Sequence, residues 1–369
     1  MMRSLREWLD GAARVLASSP EFSEDSGASP RREAEFLLCH ALGLTREALV
    51  TRARESLPPD AEGELNALLA RRAGGEPLAY LAGKREFYGR IFAVSPATLI
   101  PRPETEHLVD AVRVLSGMPG VSAADMPFPG RLKDALARAP LFPDAEVRFL
   151  DLGTGSGCIA LTLAAECPCW KGMAVDISEK ALDMARINAK ALNAADRVNF
   201  LHADFTAADF AERLPEEFRS PCLIVSNPPY VGEEEYAGLE RGVREFEPKC
   251  ALVPGPSGLE HPRAVVALAE RLLPSGGLLL MEHGAGQGEA ARGLCGTAWS
   301  LALTGKDYAG LDRYLLAIRG QVRERNIPAA ANPCGDTGQE VTTHEPASGI
   351  WNKKGLVDEL NKSLKTKFN

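Results

Sequence analysis

Val147-Arg148-Phe149-Leu150-Asp151-Leu152-Gly153-Thr154-Gly155-Ser156-Gly157 runs an apolar stretch of strand length into three glycines, each separated from the next by one residue. Mostly apolar residues continue to position 165, as in a buried helix, so the segment reads strand, glycine turn, helix. Outward from it the same alternation repeats. A strand is expected at 173–175, a helix over 179–192, and strands at 198–201, 223–225 and 278–281, the last after the turn Pro274, Gly276, Gly277. Two more strands are expected near 299–304 and 314–318. Strands alternating with helices imply a mainly parallel sheet covered on both faces. The expected fold class is therefore α/β, with a seven-stranded doubly wound, Rossmann-like sheet.

Before this domain the pattern is helical. Leu5, Trp8, Leu9, Ala12, Ala13 and Leu16 recur at helical spacing, as do Ala34, Phe36, Leu37, Leu38, Ala41 and Leu42, and then Leu65, Leu68 and Leu69. Ser29-Pro30 reads as an N-cap and first-turn proline, and Gly43 as a helix stop. Residues 1–83 are expected to form a small helical bundle. Phe87, Tyr88, Ile91, Phe92 and Val94 around Gly89 and Pro96 suggest a β-hairpin linker over 84–102, and the α/β domain then occupies 103–320. The stretch 116–143 reads as a loop with one short helix at 132–137. The tail, 321–369, reads as a flexible linker with one short lysine-rich helix at 356–368.

Composition narrows the class. With 369 residues, 45% hydrophobic and 25% charged, the chain can build one large and one small core. Arg6, Glu7, Asp10 and Arg14 interrupt the leading segment, and no stretch reaches the roughly 20 apolar residues of a membrane span. A cytoplasmic protein is expected. Its eight cysteines are expected to be reduced. Cys167 and Cys169 flank Pro168, but no second pair stands at zinc-ligand spacing, so no metal is expected. A net charge of −8 argues against wrapping duplex phosphates, and no stable nucleic-acid binding is expected.

The candidate chemistry lies at successive strand ends. Gly153, Thr154, Gly155, Ser156 and Gly157 form a turn at a helix N-terminus, where a ligand carboxylate or phosphate is favoured. The third position after Gly155 is Cys158, so the spacing departs from that of a dinucleotide-binding loop. Asp176 ends the next strand and suits both hydroxyls of a ribose. Asp204 and Phe205 end the third, placed to bond an adenine amino group and cover its ring. Together they fit an adenosyl ligand. After the fourth strand come Asn227, Pro228, Pro229 and Tyr230. Two prolines fix this turn and donate no N–H, so its acceptors face outward. An –NH2 on a planar group can give one hydrogen to the Asn227 side-chain oxygen and one to the Pro228 carbonyl. Tyr230 can stack on the flat group, holding the nitrogen at a methyl donor, where positioning carries most of the catalysis.

These residues resemble the release factor glutamine methyltransferase family, over about residues 30–320. The likeness is carried by Asn227-Pro228-Pro229-Tyr230, by Gly75-Glu76-Pro77-Leu78-Ala79-Tyr80, by Glu86-Phe87-Tyr88-Gly89 and by Leu99-Ile100-Pro101-Arg102-Pro103-Glu104-Thr105-Glu106. Arg244-Glu245-Phe246-Glu247-Pro248, with Ala251 and Leu252, adds to it. The resemblance implies a class I methyltransferase that takes S-adenosyl-L-methionine and methylates the glutamine N5 of the Gly-Gly-Gln motif of peptide chain release factors. It also implies cofactor contacts at Gly153–Gly157, Asp176, Phe205 and Asn227, and substrate contacts from Asn227 to Tyr230. Ser257 stands where the family usually has aspartate, and His283 where it has an apolar residue. His283 and His107 read as structural. The motif chemistry alone also fits adenine N6 methylation of nucleic acid, or a module that binds the cofactor and a release factor without chemistry.

Overall fold

The structure, a computed structural model, describes residues 3–20, 29–118, 145–307 and 309–320. Helix α1 (Leu5–Ala17) opens with a capping box, in which Ser4 Oγ accepts the Glu7 N–H and the Glu7 carboxylate accepts the Ser4 N–H at 2.7 Å. Helix α2 (Pro30–Leu42) starts at the Ser29 cap and stops at Gly43, whose φ of +61° is the left-handed geometry that favours glycine. With α4 (Ala61–Ala73), they bury Leu5, Trp8, Leu16, Leu37, Leu38 and Leu65 in one cluster. Two short helices, α3 (Arg46–Thr51) and α5 (Leu78–Ala82), are additions to the sequence reading. Six and five residues are too few for an apolar period to stand out.

Strands β1 (Lys84–Phe87) and β2 (Arg90–Ala93) pair antiparallel, with Phe87 opposite Arg90. Tyr88 and Gly89 both have positive φ, the signature of a two-residue turn whose twist matches the strands. Tyr88 accepts this uncommon backbone because its N–H donates to Glu106 and its hydroxyl to Asp110, both on α6 (Glu106–Leu115). On the other side, the buried Asn188 bonds both backbone groups of Ala93 and the Ser156 carbonyl. One side chain thus ties the hairpin to the glycine loop.

The seven-stranded sheet has the order β5-β4-β3-β6-β7-β9-β8. Strands β3 (Arg148–Leu152), β4 (Lys171–Asp176), β5 (Val198–His202), β6 (Leu223–Ser226) and β7 (Leu278–Glu282) are parallel; β8 (Trp299–Lys306) and β9 (Asp312–Arg319) close the far edge antiparallel. Alternate residues face two separate cores. Phe149, Leu223, Val225, Leu278 and Leu280 pack with α6, α7 (Cys158–Glu166) and α8 (Glu179–Ala191). Leu150, Ile224, Leu279 and Met281 pack against Phe210 of α9 (Phe210–Arg213) and the apolar face of α12 (Glu260–Leu272). Burial on both faces is why these strands read as continuous apolar runs. The remaining helices, α10 (Glu233–Ala237), α11 (Arg241–Phe246) and α13 (Gly288–Gly293), are short. The helices expected at 132–137 and 356–368 lie outside the described residues, as does most of the 116–143 loop.

Candidate active site

Parallel strands deliver their C-terminal ends to one edge of the sheet, and the order reverses between β3 and β6. Connections diverge there and leave a crevice. The loops after β3 and β6 meet at this point: a Cβ on Gly153 would lie 3.9 Å from the Asn227 carbonyl oxygen. The cleft encloses about 990 Å³, part of it open to solvent. Gly153, Thr154, Gly155, Ser156, Asp176, Asp204, Phe205, Asn227 and Pro229 line it, whereas Gly157, Pro228 and Tyr230 do not.

Three amides of the glycine loop are bonded within the protein. Gly153 and Thr154 both donate to the Val175 carbonyl at 2.9 Å, and Gly155 donates to Asp176 Oδ2 at 2.8 Å. These amides fasten the loop to β4 rather than pointing free at a ligand. What glycine secures is the backbone path, since Gly153 and Gly155 have φ of +73° and +56°, and open approach, since a Cβ on Gly155 would meet nothing within 4 Å. Beneath the loop, fully buried Asp151 accepts from Thr154 Oγ1 at 2.6 Å and from the Ala160 N–H at 3.2 Å. Its other oxygen has no partner among the described residues, and burial pushes its carboxyl up to about 7.

Each Asp176 oxygen accepts one backbone N–H, from Gly155 and from Ser178. Burial raises this carboxyl above its usual range, against the pull of those bonds. A carboxylate has about four acceptor sites, so capacity remains for two hydroxyls. Asp204 Oδ1 is engaged by the Thr206 N–H and hydroxyl, which shapes its own turn. Phe205 stands edge-on to His261, with ring centroids 5.5 Å apart, and together they wall the far end. His261 was absent from the sequence reading, since a lone histidine opening a helix carries no local signal.

Across the cleft, Asn227 Nδ2 donates to Thr105 Oγ1 at 3.0 Å. Thr105 donates in turn to Glu282 Oε2 at 2.7 Å, and the Tyr230 hydroxyl donates to Glu282 Oε1 at 3.0 Å. Glu282 is fully buried, and desolvation raises its carboxyl. Tyr230 is thus held by its hydroxyl, outside the lining of the cleft. Its carbonyl accepts from Gln287 Nε2 at 2.8 Å. The turn at Gly255–Gly258 presses on the same backbone: a Cβ on Gly258 would fall 2.4 Å from the Tyr230 oxygen. Ser257, in that turn, bonds Glu260 through both its N–H and hydroxyl. His283 is buried, with Nδ1 on the Gly284 carbonyl, and burial lowers its pKa. His107 lies buried on α6, stacked on Tyr314. None of these three lines the cleft.

A third wall comes from residues 97–102. Glu247 accepts the Ile100 N–H at 3.0 Å and Arg102 Nη2 at 2.5 Å, and the Tyr80 hydroxyl holds the Thr98 carbonyl at 2.6 Å. Thr105, Glu247 and Glu282 were given no role in the sequence reading, although Thr105 and Glu247 fall inside the blocks that carried the resemblance. Among the described residues no helix is long and apolar enough to cross a membrane, and no group of three or more His, Cys, Asp or Glu could hold a metal ion.

Comparison with known proteins matches this architecture on both sides of the hairpin. The PrmC N-terminal domain family matches residues 7–83, and the methyltransferase small domain family matches residues 135–241. The release factor glutamine methyltransferase of Nitratidesulfovibrio vulgaris is 44% identical over 300 residues, covering 79% of this chain and 89% of that protein. The enzyme of the same name from Neisseria gonorrhoeae is 42% identical, covering 80% and 96%, and that of Escherichia coli 40%, covering 78% and 88%. Identity at this level, sustained from the helical bundle through the doubly wound sheet, shows that the chain belongs to the release factor glutamine methyltransferase family.

Proposed function

We propose that this chain transfers the methyl group of S-adenosyl-L-methionine to the N5 amide nitrogen of the glutamine in the Gly-Gly-Gln motif of a peptide chain release factor. One observation carries the reading. Asn227 and Pro229 of the Asn227-Pro228-Pro229-Tyr230 turn line the same cavity as Gly153, Gly155, Asp176 and Phe205, at the reversal of the sheet. The cleft suits the cofactor: Asp176 has acceptor sites to spare, the glycine loop leaves open space, and Phe205 offers an apolar wall. Once bound there, the cofactor supplies a methyl carbon on a positively charged sulfur.

The chain's own residues do the rest by positioning. Asn227 Oδ1 and the Pro228 carbonyl accept the two amide hydrogens, which turns the nitrogen lone pair toward the methyl. The N–C bond forms as the S–C bond breaks. The alkylated nitrogen is then acidic and loses its extra proton to water, so no tuned base is needed. Gly153–Gly157, Asp176, Asp204, Phe205 and Asn227 serve the cofactor, and Asn227, Pro228, Pro229 and Tyr230 serve the substrate. Residues 1–83 recognise the release factor, 84–102 link and 103–320 catalyse; residues 321–369, expected as a tail, lie outside the described residues. The reaction takes place in the cytoplasm, without stable nucleic-acid binding.

Methyl-labelled S-adenosyl-L-methionine, incubated with the full chain and a release factor, tests this. Label should enter the intact factor and neither the factor with its motif glutamine replaced nor adenine-containing DNA. Label in DNA would replace the proposal with adenine N6 methylation, and equal label in both factors would remove the glutamine.

A further inference from the structure

Thr105 occupies an unusual place between Asn227 and Glu282. It contacts Asn227 Nδ2 at 3.0 Å and Glu282 Oε2 at 2.7 Å, across 122 and 177 positions of sequence. A threonine hydroxyl has one hydrogen to give and two lone pairs to receive. Thr105 Oγ1 donates to Glu282 Oε2, and the Tyr230 hydroxyl donates to the other oxygen of the same carboxyl group. The Thr105 hydrogen is therefore committed to Glu282. Toward Asn227 only a lone pair remains, so Asn227 must present its NH2 to Thr105 and keep Oδ1 for the cleft, which both residues line.

We infer that Thr105 and Glu282 are positioning residues that lock the Asn227 carboxamide in one of its two flips, making the site an obligate acceptor that takes an –NH2 and refuses a carboxylate. This rests on the glutamine reading above and deepens it: the lock is what separates glutamine from glutamate, two side chains of the same shape. A flipped Asn227 would turn Nδ2 into the cleft, where it could donate to a glutamate oxygen. In the native protein that flip forces Thr105 to give its hydrogen to Asn227 and strips a donor from a fully buried carboxylate. Valine at 105 keeps the shape and removes that constraint, since either end of the amide then faces a methyl group.

Two measurements on the full chain test the lock. The first is solvent exchange of the Asn227 Hδ2 protons, followed by NMR on nitrogen-15-labelled protein. Exchange should be slowed in wild type and in Thr105→Ser, which retains the hydroxyl, and about tenfold or more faster in Thr105→Val. The second is binding of a release factor with its motif glutamine against the same factor carrying glutamate. The glutamine-to-glutamate affinity ratio should fall about tenfold or more in Thr105→Val, mainly through tighter binding of the glutamate form, and be restored in Thr105→Ser. A residue that only held the fold would weaken both ligands alike and leave their ratio unchanged, and that result overturns the inference. Should Thr105→Val not fold, fast Hδ2 exchange in wild type overturns it and slow exchange in wild type and Thr105→Ser supports it. If wild type methylates no release factor, the substrate reading fails while the exchange measurement still decides the lock.

Discussion

Removing Arg102 should destabilise the protein more than neutralising its partner Glu247, although both changes delete the same ion pair. The Glu247 side chain is 1% exposed and Arg102 is 32% exposed, with Nη2 2.5 Å from Oε1. Arg102→Ala strands a carboxylate that has already left water, with only the Ile100 N–H to serve it. Orphaning one member of a fully buried pair costs roughly 3–5 kcal/mol. Because a third of Arg102 faces solvent, water can reach the vacated space, and we expect about 2–3 kcal/mol. Glu247→Gln instead removes the charge and keeps an acceptor for Ile100, so about 1 kcal/mol is expected. Urea unfolding followed by tryptophan fluorescence and far-UV circular dichroism in parallel gives both numbers when the two probes coincide. Arg102 and Pro101 line the cleft, so the ranking should recur in cofactor affinity, with Arg102→Ala the weaker binder. Glu247→Gln costing as much as Arg102→Ala would refute the argument that the buried carboxylate, and not the pair, sets the energy.

Asn227→Ala should lower methyl transfer roughly 100-fold, as for the loss of one orienting polar group in a preorganised site, and leave cofactor affinity within several-fold; unchanged turnover removes Asn227 from the mechanism. Gly258→Ala places a methyl 2.4 Å from the Tyr230 carbonyl at a φ of +75°, so it should cost about 1–2 kcal/mol from backbone geometry alone and depress turnover by displacing the Asn227–Tyr230 turn. Native-like activity and melting temperature would show that the turn at Gly255–Gly258 does not brace it. Asp151→Asn should change how stability depends on pH. The folded-state carboxyl of Asp151 is raised to about 7 from an ordinary 3.8, so the native state favours the protonated acid. Its contribution is therefore most favourable at low pH and is lost as pH rises from about 4 through about 7, by an order of a few kcal/mol. Asparagine does not ionise, so the melting temperature of Asp151→Asn relative to wild type should climb between pH 4 and pH 8; a constant difference contradicts the raised carboxyl.

The sequence exposed features that the backbone itself demands. Leu278–Glu282 is apolar for most of its length because both faces of β7 are covered, and it reads as a strand without its neighbours. Gly153 and Gly155 mark the loop because their positive φ values favour glycine, and Pro228 and Pro229 mark the turn because they lack donors. The same logic does not reach the partners of the loop amides. Glycine spacing shows that the chain can turn there, but not that the freed N–H groups go to Val175 and Asp176.

Residues whose role is fixed by another side chain left no such trace. Thr105 and Glu282 are 177 positions apart, and Ile100 and Glu247 are 147 apart; each alone looks like an ordinary polar residue in a loop or at a strand end. Their meaning appears only when the reversal between β3 and β6 brings the segment at 97–105 against the ends of β6 and β7. That placement also explains a division of labour. Backbone-defined residues make the cavity, where glycine and proline leave space and aim carbonyls. Residues acting through hydrogen-bond direction decide which end of Asn227 meets the ligand. A donor-to-acceptor order cannot be encoded by one residue's propensity, because a threonine hydroxyl donates or accepts according to what stands beside it. The buried carboxyl groups of Glu282 and Glu247 settle that order by accepting, from Thr105 and Tyr230 and from Ile100 and Arg102, and the energetic cost of burying them is the cost of a site that faces its substrate in one sense.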